Sequence, residues 1–215
     1  MWDKLSLRHA GQTGVIIGNG PSLNNVTDGF LDKYPTFGTN RIYLRYTPTY
    51  YVCVNPLVFN QARGDILRVE SEWKFLPEYF GVIGPGIIPF EQTGDVDFGN
   101  PYSGFYQGWT VTYVCLQIAL WMSFDTILLV GVDHRYDVPD SARGGTEIIS
   151  QGDDPNHFSP DYFPEGWAWH APDLKKSEEA YRMALMEYTR RGQRIVNLTP
   201  DTALNVFPRD DMENW

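Results

Sequence analysis

The stretch VIIGNGPSL, residues 15–23, runs an apolar strand directly into a loop of Gly18, Asn19, Gly20, Pro21 and Ser22. A strand that ends in small residues and reopens as a helix gathers unpaired backbone N–H groups and the positive end of a helix dipole at one point, which suits an anion. The same residues are also ordinary turn punctuation. Leu23 stands where the third glycine of a dinucleotide fingerprint would be, and the P-loop lysine is missing, so neither an ordinary NAD fold nor an NTPase is indicated.

Working outward, short apolar runs at 14–17, 36–38, 50–54, 79–83, 126–132 and 194–198 read as strands. The clearest helices are 109–123, almost wholly apolar, and 173–191, apolar at helical spacing. Strands alternating with helices predict one α/β domain over 1–215, Rossmann-like, with a mostly parallel sheet and helices on both faces. A chain of 215 residues, 42% hydrophobic, is long enough for one well-cored domain.

Ligands collect at the carboxyl ends of parallel strands. Here those ends carry GNGPS, Thr39-Asn40, Asn55, 133–136 and 197–202, a repetition that predicts a shared pocket. Residues 137–172 are rich in Asp, Gly and Pro yet contain Phe158, Tyr162, Phe163, Trp167 and Trp169, and read as a lid over that edge, with a partner-binding loop as the alternative.

The formal net charge of -10 argues against a nucleic-acid surface. No apolar run approaches a membrane span and the start MWDKLSLRHAGQ lacks a signal-peptide core, so a cytoplasmic protein without a transmembrane segment is expected. Cys53 and Cys115 lack metal-ligand spacing and read as buried thiols. Self-association into a homo-oligomer stays open.

Of the histidines, His9 reads as a surface residue, His134 follows Asp133 at a strand end, and His157 and His170 fall in the lid, where an imidazole can take a proton from a hydroxyl. No H-E-x-x-H or G-x-S-x-G motif is present, and Asp133-His134 is a poor substitute for a paired-aspartate metal site, so no metal is assigned.

Taken in order, GNGPSL at 18–23, Thr39-Asn40, Asn55-Pro56, Trp109-Thr110, 117–120, 131–133, WAWH at 167–170 and 198–204 resemble the motifs of the bacterial family 42 sialyltransferases. Distant relatives of that family include flagellin nonulosonic acid transferases and 6-hydroxymethylpterin diphosphokinase-like proteins. The resemblance implies a glycosyltransferase that moves a sugar, sialic acid or another nonulosonic acid, from a CMP-sugar to the hydroxyl of a glycan or other acceptor. The nucleotide sugar is the substrate and no separate cofactor is implied.

The resemblance also implies residue roles. The loop of Gly18, Asn19, Gly20, Pro21 and Ser22 lies near phosphate and ribose, Asn40 and Asn55 near ribose and cytosine, and Thr110 near the sugar carboxylate. Asp133 and Trp167 complete the substrate site, His170 is the base, and Tyr136 and Tyr162 hydrogen-bond the departing phosphate. The alternatives are a pterin diphosphokinase-like phosphotransferase using ATP and magnesium, or a non-catalytic nucleotide-binding module.

Overall fold

The computed structural model describes residues 2–94 and 97–215. Its centre is a sheet of seven strands in the order β11-β8-β1-β2-β3-β4-β5. The strands are β1 Thr13–Ile17, β2 Thr36–Thr39, β3 Tyr50–Val52, β4 Trp73–Pro77, β5 Ile87–Phe90, β8 Thr126–Val130 and β11 Arg194–Asn197. Every pairing within it is parallel. Two small sheets accompany it: β6 Gln92–Thr93 with β7 Phe105–Tyr106, and β9 Glu147–Ile149 with β10 Ala168–His170. This is the α/β architecture that the alternation of elements predicts.

The helices are α1 Asp28–Leu31, α2 Pro56–Arg68, α3 Val111–Trp121 and α4 Leu174–Arg190. Each of the longer ones starts at a side-chain cap: Asn55 accepts from Leu57 N, Thr110 from Thr112 N and Asp173 from Lys176 N. These caps satisfy N–H groups that have no partner inside the helix. The strand period of two divides the core between the faces of the sheet. Ile16 belongs to the layer with α3 and α4, whereas Val15 and Ile17 join α2 on the other side.

Two expectations are corrected, the strand at 79–83 and the surface position of His9. Residues 79–83 are not a strand. The strand is β4, Trp73–Pro77, followed by a 3-10 turn at Glu78–Phe80 and by Gly81 at φ 64°. Both β4, which carries Lys74 and Pro77, and β5, which carries Pro89, depart from the apolar pattern. Proline is tolerated in β5 because it is an edge strand, paired only with β4. Helix α2 does not stand out in the sequence, its spacing being broken by non-helical backbone at Ala62.

His9 is buried rather than on the surface: its ring stacks on Phe124 at 4.2 Å, and its nitrogens meet Gln12 Oε1 and Tyr50 OH, each at 2.8 Å. Residues 137–172, read from sequence as a lid over the strand ends, are packed down on the domain. Phe158, Tyr162 and Phe163 are buried against the α2 face, and Gln61 exchanges hydrogen bonds with the backbone of Ala168. Arg41 ties this segment down, donating to the carbonyls of Asp161 and Tyr162 and lying 4.5 Å from the Trp167 ring centre. The exposed residues of the segment are concentrated near 135–147.

Candidate functional site

The chain passes from β1 outward to β5 on one side, then returns to lay β8 and β11 on the other, so the strand order reverses between β1 and β8. Open parallel sheets bind ligands at such a switch point. Here the loop after β1 crosses the loop after β8 closely: Gly18 N donates to Val130 O at 2.8 Å and Gly20 N to Gly131 O at 2.9 Å. Gly131 takes φ 68°, a left-handed value suited to glycine.

A cavity of about 540 Å³ opens above this crossing. Its wall takes Gly18, Asn19 and Gly20 from the end of β1, Asn40 from β2 and Asn55 from β3. Asp133 and Tyr136 follow β8, Thr110 precedes α3, and Tyr162 and His170 come from the 137–172 segment. Pro21, Ser22 and Trp167 are not in the wall, and β11 does not reach it. Instead, Thr199 Oγ1 accepts from Val132 N and Thr202 Oγ1 donates to Val132 O, so the 197–202 turn braces the loop after β8 from behind.

The GNGPSL loop is not an open anion cradle. Its Gly18 and Gly20 N–H groups are committed to β8, and Leu23 N donates to Gly20 O. Ser22 donates from Oγ at 2.6 Å and from its backbone N at 3.2 Å to the two carboxylate oxygens of Asp133. The chain thus supplies its own carboxylate where the sequence suggested a phosphate. Gly20 has ordinary extended backbone, φ -70°, and is needed for room: a Cβ there would lie 1.9 Å from Asp133 Oδ2.

Elsewhere in the wall, polar atoms lack partners. Among the described residues, Asn19 Oδ1, Asn40 Oδ1, Trp109 Nε1 and His134 Nε2 are buried without a hydrogen bond. Buried polar groups are normally satisfied, and four orphans around one cavity point to a ligand or water that completes them. Asn40, Trp109 and His134 also hold left-handed backbone, at φ 52°, 58° and 54°. Such conformations cost on the order of 1–3 kcal/mol each and cluster at ligand sites.

The α3 and α4 N-termini also meet the cavity, through Thr110 to Thr112 and through Asp173, Leu174 and Ser177. Their dipoles bring positive potential to a wall whose only arginine is Arg135 and which has no lysine among the described residues. Thr110 Oγ1 lies 3.4 Å from the Tyr181 hydroxyl. Tyr136 is 37% exposed, and its phenol is raised by burial, with Tyr181, Asp133 and Asp154 adding to the shift.

Tyr162, which the resemblance places at the departing phosphate, lines the cavity as a packed side chain. It is 1% exposed, its hydroxyl accepts from Arg41 N at 3.2 Å, and its ring lies flat against His157 at 3.9 Å. Both cysteines are free and buried, burial pushing the Cys53 thiol up to about 12.

The three cavity histidines differ in support. His170 is exposed on β10 and, among the described residues, has no side-chain hydrogen bond. His134 Nε2 is 3.4 Å from Glu178 Oε1 without the alignment of a hydrogen bond. His157 Nδ1 meets Asp154 Oδ2 at 2.7 Å. Asp154 was not singled out from sequence, although the Asp-Pro turn before His157 is the local signal that brings the two together. Asn156 and Glu178 had no such signal.

Burial lowers the pKa of both His9 and His134, partly offset by a hydrogen bond to Gln12 in the first and by the Glu178 charge in the second. The folded chain therefore binds fewer protons at these rings than the unfolded chain. Stability is full above the ordinary value of 6.5 and falls as the pH drops through it toward the lowered folded values. Urea midpoints measured from about pH 7.5 to 5.5 should decline, and His134→Asn should flatten part of the slope. A constant midpoint in both proteins would refute this.

Among the described residues no three His, Cys, Asp or Glu side chains group as a metal site, and no helix is long and apolar enough to cross a membrane. No protein-family model matches the chain, and no curated protein matches it.

Proposed function

We propose that this protein is a glycosyltransferase of the sialyltransferase type, moving sialic acid or another nonulosonic acid from a CMP-sugar to an acceptor hydroxyl by single displacement. The observation that carries the reading is the set of orphaned buried polar atoms around a switch-point cavity with one arginine and no lysine among its described lining residues. The amide oxygens of Asn19 and Asn40 are acceptors suited to the hydroxyls and amine of a nucleoside. Indole Nε1 of Trp109 is only a donor and requires an acceptor atom from its ligand.

Charge separates this reading from the phosphotransferase. A nucleoside triphosphate ordinarily recruits cations, whereas Asp133 and Asp173 stand in this wall against Arg135, whose guanidinium already donates to Asp201 O. A CMP-sugar carries a single phosphodiester and a sugar carboxylate, a load that helix N-termini can meet. With the Gly18, Gly20, Ser22 and Leu23 amides committed internally and the Asp173 carboxylate capping α4, the start of α3 is the helix terminus left for those anions. Thr110, Trp109 and Trp169 then face the sugar rather than the base.

In the displacement, the acceptor oxygen attacks the anomeric carbon while the bond from that carbon to the phosphate oxygen breaks. The electron pair leaves on the phosphate, and the acceptor proton passes to a histidine on the cavity wall. CMP is expected to raise the melting temperature without metal, since a ligand bound only by the folded state at about 100 times its Kd adds ~2.7 kcal/mol. A thermal-shift series with CMP, UDP, GDP and ATP, each with and without magnesium, checks this. Stabilisation by ATP with magnesium alone would replace the reading with the phosphotransferase, and nucleotide binding without donor turnover would leave the binding module.

A further inference from the structure

We infer that Asp154 and His157 form the proton-accepting pair of this site, with His157 the catalytic base and Asp154 the positioning residue that orients it. The inference rests on the glycosyltransferase reading and assigns its base to a different residue from His170.

The geometry begins with the turn. Asp154 N donates to Pro160 O at 2.9 Å, and Asp154 Oδ1 accepts from Asn156 N at 2.8 Å. Oδ2 is left for His157 Nδ1 at 2.7 Å, and the two side chains are 6% and 11% exposed. An ionised carboxylate can only accept, so Nδ1 carries the proton and Nε2 presents its lone pair. Among the described residues Nε2 has no partner, and His157 lines the cavity.

The surroundings hold the ring still. It stacks on Tyr162 at 3.9 Å with planes 2° apart, and Phe163 meets it edge-on at 5.2 Å. Asn156 ties the turn to Asp137, accepting from its N–H at 2.6 Å and donating to its carbonyl at 2.9 Å. Phe158 N donates to Asn19 O at 3.0 Å and Asn24 donates to Phe158 O at 2.9 Å, which fastens the turn to the GNGPSL loop. His157 is therefore anchored to the loop that carries an orphaned amide, whereas His170 projects from a short strand and, among the described residues, has no hydrogen bond to select its tautomer.

In the reaction the acceptor O–H proton moves to His157 Nε2 as the new carbon–oxygen bond forms and the bond to phosphate breaks. Asp154 stabilises the resulting imidazolium without taking the proton. A buried acid–imidazole pair with only a structural role would share the distances and the tautomer but not the consequence for rate.

The test combines nitrogen-15 NMR of histidine-labelled full-length protein with release of CMP from CMP-sialic acid, using water or a galactoside as acceptor. Above the histidine titration range, His157 is expected as the Nδ1–H tautomer. Asp154→Asn should shift the ring toward Nε2–H and cut the rate by about 10²-fold or more with CMP affinity retained. Asp154→Glu should restore part of that rate, and the larger loss among histidine variants should fall on His157→Ala rather than His170→Ala. An Nε2–H ring in a wild-type protein that turns over its donor, or an Asp154→Asn rate equal to wild type, overturns the pair. A wild-type protein that binds and cleaves no CMP-sugar overturns the glycosyltransferase reading, and the catalytic role of the pair with it.

Discussion

Gly18→Ala is expected to lose about 3 kcal/mol or more of stability, because overpacking against a part that cannot move is among the severe single-residue effects. The added Cβ would stand 2.3 Å from Gly131 O and 2.7 Å from Gly131 C, both backbone atoms. Relief requires separating β1 from β8, whose loops are joined there by the bonds from Gly18 N and Gly20 N. Gly20→Ala meets a side chain instead, and Asp133 can turn aside at the cost of its bonds to Ser22.

The two variants therefore respond differently to a second change. Asp133→Ala should recover part of the Gly20→Ala loss and none of the Gly18→Ala loss. Urea denaturation at constant m-value of wild type, the three single variants and the two doubles measures both effects and their coupling. A Gly18→Ala midpoint equal to wild type would show that the crossing of the two loops is looser than the structure has it.

Tyr162→Ala should cost about 3–5 kcal/mol, the usual range for deleting a fully buried aromatic ring. The ring fills the space between His157, Phe158 and Phe163, and its hydroxyl satisfies Arg41 N. Losing it should also release the docked turn, making the 154–163 region protease-sensitive and loosening the His157 ring. Tyr162→Phe separates the parts: packing stays, the Arg41 N–H loses its acceptor, and about 1–3 kcal/mol is lost. If Tyr162→Phe abolished donor turnover at unchanged stability, the phenol would regain the role in phosphate departure that its burial argues against.

These effects mark where local reading of the chain ends. Apolar runs at 14–17, 126–132 and 194–198, and the apolar helices at 109–123 and 173–191, report their elements because strand and helix periods depend on residues a few positions apart. β4 and β5 escape the same reading, since Lys74 and Pro89 take their tolerance from position in the sheet rather than from neighbours in sequence. His9 misleads for a similar reason: a polar leader looks exposed until Phe124 and Tyr50 close over its imidazole.

The site divides along the same line. The sequence alone determined an α/β chain with polar residues at successive strand ends, and so a cavity edge carrying Asn19, Asn40, Asn55 and Asp133. Only the tertiary structure decided that Asp133, 111 residues from Ser22, fills the donors of the GNGPSL loop. It also decided that Tyr162 is packing and that His157 rather than His170 stands in an oriented environment. The physical reason is that turn chemistry announces which donors and acceptors a segment exposes, whereas their satisfaction depends on groups brought in from distant strands.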